Sequence, residues 1–234
     1  MALMLRSRST LFIAILALLA VPAVAAATLI DVPKDTVPAA KPSCPTAPCL
    51  AVSRTTGFQS RAGANRGLMR IPQDGRLVSW TISLGKPGKK QIDFFDDKLG
   101  GESQAQITVL RAGSKLRFRT VAQGEPQKLE PYFGQTVEFA LDKSIPVKKG
   151  YIVGVTIPTW APAPAVNLGS DTSWRASRPK GNCEDTQAQT AQQVNGLAQF
   201  YCLYKGARLT YSARVIADPV PNPTPKKKSA TTRR

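Results

Sequence analysis

The sequence predicts an all-β protein, an antiparallel β-sandwich or jelly roll, with an N-terminal signal helix and disordered proline-rich tails. Three observations carry that expectation. Apolar and polar residues alternate at period two through several segments of about seven residues. Turn signals separate those segments: Gln73-Asp74-Gly75, Lys86-Pro87-Gly88, Leu99-Gly100-Gly101, Ala112-Gly113-Ser114, Lys148-Lys149-Gly150 and Lys205-Gly206. No long amphipathic helical pattern stands between them, and short strands at this spacing build sandwiches rather than parallel sheets.

The chain opens with Met1–Thr10, which carries Arg6 and Arg8 and no acid, and continues into the apolar run Leu11–Val21. Pro22 breaks the helix, and Ala23-Val24-Ala25-Ala26-Ala27 supplies small residues. That order is the signature of a secretory signal peptide, residues 1–26, cleaved between Ala25 and Thr28. The alternative is an uncleaved anchor. Spanning a bilayer takes about 20 predominantly apolar residues, and Pro22 and Thr28 interrupt Leu11–Ile30. Export predicts a secreted or envelope-associated protein with no transmembrane segment after cleavage. Residues 27–50, with Pro33, Pro38, Pro42, Pro45 and Pro48, read as a linker that holds a small disulfide loop.

The sandwich domain is expected over residues 51–217. Val52–Phe58 is its first, weaker strand. Leu77–Leu84 is clearer: Val78, Trp80, Ile82 and Leu84 share one face, and Ser79, Thr81 and Ser83 the other. Gln91–Phe95, Ile107–Arg111 and Leu116–Val121 follow as weaker strands. Thr136–Asp142 turns Val137, Phe139 and Leu141 inward, and Tyr151–Ile157 alternates in the same way. Ser173–Ala176 and Gln199–Tyr204 are short candidates, and Leu209–Val215 alternates again. Leu203–Val215, broken at Gly206, reads as a terminal hairpin. The Gln/Ala-rich stretch Asp185–Leu197 lacks apolar periodicity and reads as a loop. In residues 218–234, Pro219, Pro221, Pro223 and Pro225 predict a stiff spacer before Lys226-Lys227-Lys228 and Arg233-Arg234. This tail reads either as a solubilising end or as a tether to an anionic surface.

Four cysteines, Cys44, Cys49, Cys183 and Cys202, predict two disulfides in an oxidising compartment. Of three possible pairings, the local one is favoured: Cys44–Cys49 closes a proline-stiffened loop, and Cys183–Cys202 ties down the loop between its ends. The spacings are poor for zinc.

The full chain has a formal charge of +17, and +15 without residues 1–26. Such a balance favours anionic partners, weak non-specific polyanion binding among them; the alternative is a basic exported protein with no specific anion site. No histidine is present, which removes Ser-His-Asp and Cys-His catalysis and the usual zinc ligands. No cofactor motif is present, and no metal site is assigned. Asp93, Asp96, Asp97 and Glu102 are dense enough to weigh as calcium ligands, against a plain charged turn. Glu102, Glu125, Glu130, Glu138 and Asp171 are the acids available to a glycosidase, with nothing in the sequence to bring two together. Arg111, Lys115, Arg117 and Arg119 form a basic hairpin around Gly113.

Tyr132 and Trp160 stand in Pro- and Gly-flanked segments, and Trp174 adds a ring beside Arg175, with a core position for Trp174 as its alternative. Rings held on loops offer faces for sugars, and these four residues are the candidate ligand-binding set; packing at the ends of the sandwich is the competing reading. The stretches Pro158–Ala163 (PTWAPA), Trp174–Arg178 (WRASR) and Arg208–Ala213 (RLTYSA) resemble segments of a group of exported bacterial β-sandwich proteins with no known activity. The resemblance covers most of residues 50–216 and implies export and a jelly-roll-like fold, with no catalytic residue to carry over. The sequence therefore reads as a non-catalytic exported protein that binds a glycan or an anionic wall polymer. A carboxylate-dependent glycan hydrolase and a structural envelope or adhesion protein are the alternatives.

Overall fold

The computed structural model describes residues 27–34 and 39–219; residues 1–26, read above as a signal peptide, and the tail from residue 220 lie outside the described residues. In chain order the elements are β1 (Thr28–Val32), β2 (Val52–Ala62), β3 (Asn65–Arg66), β4 (Gly75–Ser83), α1 (Lys89–Leu99), β5 (Gln104–Ala112), β6 (Arg117–Gln123), β7 (Gln127–Lys128), a 3-10 turn Glu130–Tyr132, β8 (Thr136–Val147), β9 (Ile152–Ala161), β10 (Pro164–Ala165), β11 (Ser173–Ala176), β12 (Leu197–Gln199), β13 (Cys202–Lys205), β14 (Arg208–Leu209) and β15 (Tyr211–Ala217). One sheet has the order β1-β15-β4-β8. The larger has the order β12-β6-β5-β9-β2-β11-β13, with β3 on β2 and β7 on β5, and β10 pairs with β14. The strand pairings are antiparallel, as the alternating sequences predict.

The two sheets share one core. Trp80, Phe139, Tyr211 and Val215 of the smaller sheet join Ile107, Val109, Val153 and Val155 of the larger in a single buried cluster. Burying each such side chain stabilises the fold by about 1.5–3 kcal/mol. At Gly124 the sheets approach so closely that a Cβ would lie 2.9 Å from methyls of both Ile107 and Leu141.

The opposite face of the larger sheet is also covered, over part of its area. Thr56, Thr108 and Thr156 are fully buried there, and Thr156 Oγ1 lies 2.7 Å from both other hydroxyls. The 177–196 segment crosses above them. Gln192 N donates to Thr56 Oγ1, Gln123 Nε2 donates to Thr156 Oγ1 and Gln192 O, and Thr190 N donates to Arg54 O. Buried hydroxyls are tolerated because each finds a partner. Both expected disulfides are present, and Cys183–Cys202 anchors this segment at β13.

Three expectations are corrected. Residues 27–50 do not all form a linker: Thr28–Val32 pairs with β15 from Thr28↔Ala217 to Val32↔Ala213. Val32 is buried and Ile30 packs on the core; the prolines that follow mask a strand only five residues long. Gln91–Phe95 is not a strand but lies within α1. Gly88 N–H donates to Gln91 Oε1 at the N-terminus, and Gly100, at φ 101°, ends the helix in the left-handed region that favours glycine. Ile92, Phe95 and Leu99 recur at helical spacing toward the protein, which a five-residue window cannot register. Leu203–Val215 is not a hairpin, because β13 pairs with β11, β14 with β10, and β15 with β1 and β4.

Candidate functional site

Of the four candidate ligand-binding residues, the three rings are packing residues. Trp160 is 0% exposed and sits at the end of β9. Its Nε1–H donates to Asp96 Oδ1 at 2.8 Å and Gly101 O at 3.0 Å, and Phe95 and Phe133 flank its ring. Trp174, 6% exposed, is part of β11 and stacks on Tyr204 with centroids 4.4 Å apart. Gly57 makes room for it, since a Cβ there would come within 2.9 Å of the indole. Tyr132 is half-buried and meets Phe139 edge-on. The three rings share no exposed platform, which corrects their reading as a sugar-stacking set. The prolines beside Trp160 suggest a loop in the sequence, but in the fold α1 closes over that strand end.

Arg175 stands elsewhere. It lies opposite Phe58 and Leu203 in the sheet register, on the face where the 177–196 segment leaves the larger sheet open. There a cleft of about 430 Å³ opens, with Phe58, Phe118, Met69 and Ile152 in its floor and walls. Arg61, Arg66, Arg70, Arg175 and Lys205 line it, and no lining residue is acidic. The rings of Phe58 and Phe118, 5.0 Å apart, fix the floor.

Local structure places the cations. The Ala62–Asn65 turn joins β2 to β3 and sets Arg61 directly opposite Arg66. Like charges in that position repel across the ladder. Arg61 Nε–H donates to Gly63 O, Arg70 Nη1 to Gly150 O, and Arg175 Nη1 to Phe200 O and Tyr201 O. These acceptors are neutral. None of the five cations forms an ion pair among the described residues, whose ion pairs all lie elsewhere. Asp171 approaches Gly63 at the rim without pairing with any of them. Burial pulls the Arg175 guanidinium below its ordinary pKa, the direction expected when a cation loses water without gaining a counter-charge. Leu116, at the tip of the β5–β6 hairpin, reaches the cleft, so Lys115 and Arg117 extend the positive surface beyond it.

The acids weighed earlier are engaged separately. Asp93 pairs with Lys89, Asp97 with Lys98, and Glu102 with Lys128, while Asp96 accepts from Trp160. Glu138 accepts from Ser79 and Arg214, and Glu130 from Ser103 N. Among the described residues no three acids or cysteines converge as a metal site, and no helix is long and apolar enough to cross a membrane.

Sequence reasoning found Arg175 for its tryptophan neighbour and missed Arg61, Arg66, Arg70 and Lys205. A signal was present: residues 54–73 contain Arg54, Arg61, Arg66 and Arg70 and no acid. Its convergence with β11 and β13 depends on pairing more than 100 residues distant in sequence. No family model matches the chain, and no curated protein or solved structure shows significant similarity to it.

Proposed function

We propose that the protein is an exported, non-catalytic scaffold of the sandwich or jelly-roll kind whose cleft holds an anionic polymer. One observation carries the reading: Arg61 and Arg66 oppose each other in a cleft that also gathers Arg70, Arg175 and Lys205, with no carboxylate in its lining. Such an arrangement costs stability when empty and is relieved by an anion. Guanidinium groups suit the task, because they stay charged and grip carboxylate, sulfate or phosphate through two parallel hydrogen bonds. Two disulfides support export.

Salt elution from a sulfated polyanion resin tests the reading. The triple variant Arg61→Ala, Arg66→Ala, Arg175→Ala is compared with Lys89→Ala, Lys90→Ala, Lys98→Ala on α1, which removes the same charge. The cleft variant should elute at clearly lower salt. Equal elution of the two would reduce the interaction to net charge and end the proposal.

A further inference from the structure

The cleft has a neighbour across the edge of the sheet. A second cavity, of about 780 Å³, is walled by Trp174, Tyr204, Arg178, Ser53 and Asn167. Leu203 and Lys205 belong to the walls of both cavities. The register explains the sharing. Trp174 lies opposite Tyr204 and Arg175 opposite Leu203, so alternate residues serve opposite sides of β11 and β13, and β13 is the edge strand.

The second cavity has its own unbalanced cation. Arg178 is 3% exposed. Its Nε–H donates to Asp185 O at 2.9 Å, Nη1 to Tyr204 Oη at 3.2 Å and Nη2 to Ser53 O at 2.7 Å. All three acceptors are neutral, and no carboxylate pairs with it among the described residues. A buried charge without a counter-charge is costly. Glu184 lines the same cavity but is exposed and unpaired with it, leaving Arg178 and Lys205 in excess.

We infer that the ligand is a linear acidic glycan that passes over the β13 edge from the cleft to this cavity. Its acid groups meet Arg61 and Arg175 on one side and Arg178 on the other. Its sugar rings and hydroxyls meet the half-buried Tyr204 and the exposed Asn167. An aromatic wall at Tyr204 beside the neutral amide of Asn167 suits hydroxylated rings better than a bare phosphate chain. The inference rests on the cleft being an anion site and adds the ligand's chemistry and path.

Calorimetry with oligogalacturonates of two to eight units tests it, with polyphosphate of matched charge as the comparison. Affinity should rise at least tenfold between dimer and hexamer and exceed that for polyphosphate. Asn167→Asp places a carboxylate on the second cavity alone. Asn167 is exposed with φ 58°, a conformation that Asp also tolerates, so the fold should persist. This variant should weaken the hexamer severalfold and leave the dimer unchanged, while Arg175→Ala should weaken both. Dimer binding with no gain in length, or a hexamer indifferent to Asn167→Asp, would overturn the glycan path and leave the cleft an anion site. Tighter binding of polyphosphate would replace the glycan with a general polyanion. If neither probe binds, the cleft reading falls as well.

Discussion

Strands β2, β5 and β9 present two different surfaces on one face of the larger sheet. Beneath the 177–196 segment, Thr56, Thr108 and Thr156 are dry, and each hydroxyl has a partner within the fold. Beyond the reach of that segment, Phe58 and Ile152 continue the same face into a cleft whose five cations have no ion-pair partner among the described residues. Polar groups of the first kind serve folding, because any of them left unpaired would cost about 1–3 kcal/mol. Groups of the second kind bond only to neutral acceptors and leave like charges facing one another, as Arg61 faces Arg66, an arrangement that weakens the resting protein and fits the proposed anion site.

This contrast predicts opposite signs for substitutions on the two halves. The largest effect is expected for Cys183→Ser with Cys202→Ser, which frees the covering segment. A closed loop of this length contributes about 3 kcal/mol in the chain-entropy model. Urea unfolding should show that loss, and limited proteolysis should cut between residues 184 and 196. Unchanged stability with a protected segment would mean that the threonines alone hold the cover.

Next in size is Thr156→Val, which keeps the shape and removes one hydrogen bond from each of three partners: Thr56, Thr108 and Gln123. It should cost about 2 kcal/mol, read by the same unfolding experiment. A neutral result would show that the covered half is held by packing and not by its hydroxyls.

In the open half, Arg66→Ala should instead stabilise the protein, by a few tenths of a kcal/mol, because it removes a like charge opposite Arg61 across exposed strands. The same variant should bind the polyanion resin less tightly. A loss of both stability and binding would place Arg66 in the folding framework and dissolve the contrast.

The smallest effect belongs to a site outside both halves. Asp74 accepts from Lys149 N–H at 2.8 Å, and that hydrogen bond, with Lys148 nearby, lowers its carboxyl pKa in the fold. A depressed folded pKa contributes stability above the ordinary carboxylate range and loses it as pH falls through the folded value. Asp74→Asn should therefore be slightly less stable than the parent at pH 7, and the two thermal midpoints should converge in acid. A difference that persists at low pH would assign the effect to turn geometry instead of charge.

Much of the fold is legible in local sequence. Trp80 and Ile82 in β4, Phe139 in β8, Val153 and Val155 in β9, and Ala213 and Val215 in β15 all alternate as the period-two pattern predicts, and all are buried. Phe118 points inward between Arg117 and Arg119, also as its position implies. The helix α1 was illegible because two adjacent phenylalanines read as strand: Phe95 packs on Trp160 while Phe94 is left 57% exposed. The site was illegible because its cations come from β2, β3, the turn at Arg70, β11 and β13, and no window of sequence contains them together.

By itself, the sequence determined that alternating strands would fold against one another and that the chain would carry a large positive balance, and it favoured the local pairing of Cys44 with Cys49 and Cys183 with Cys202. Each of these depends on neighbours in the chain: side-chain period, loop length and summed charge. Only tertiary structure decided that Trp160 and Trp174 would be buried while Arg61, Arg66 and Arg175 would face one cleft. Burial and convergence depend on strand register and on which segment covers which face, and those are set by contacts between residues far apart along the chain.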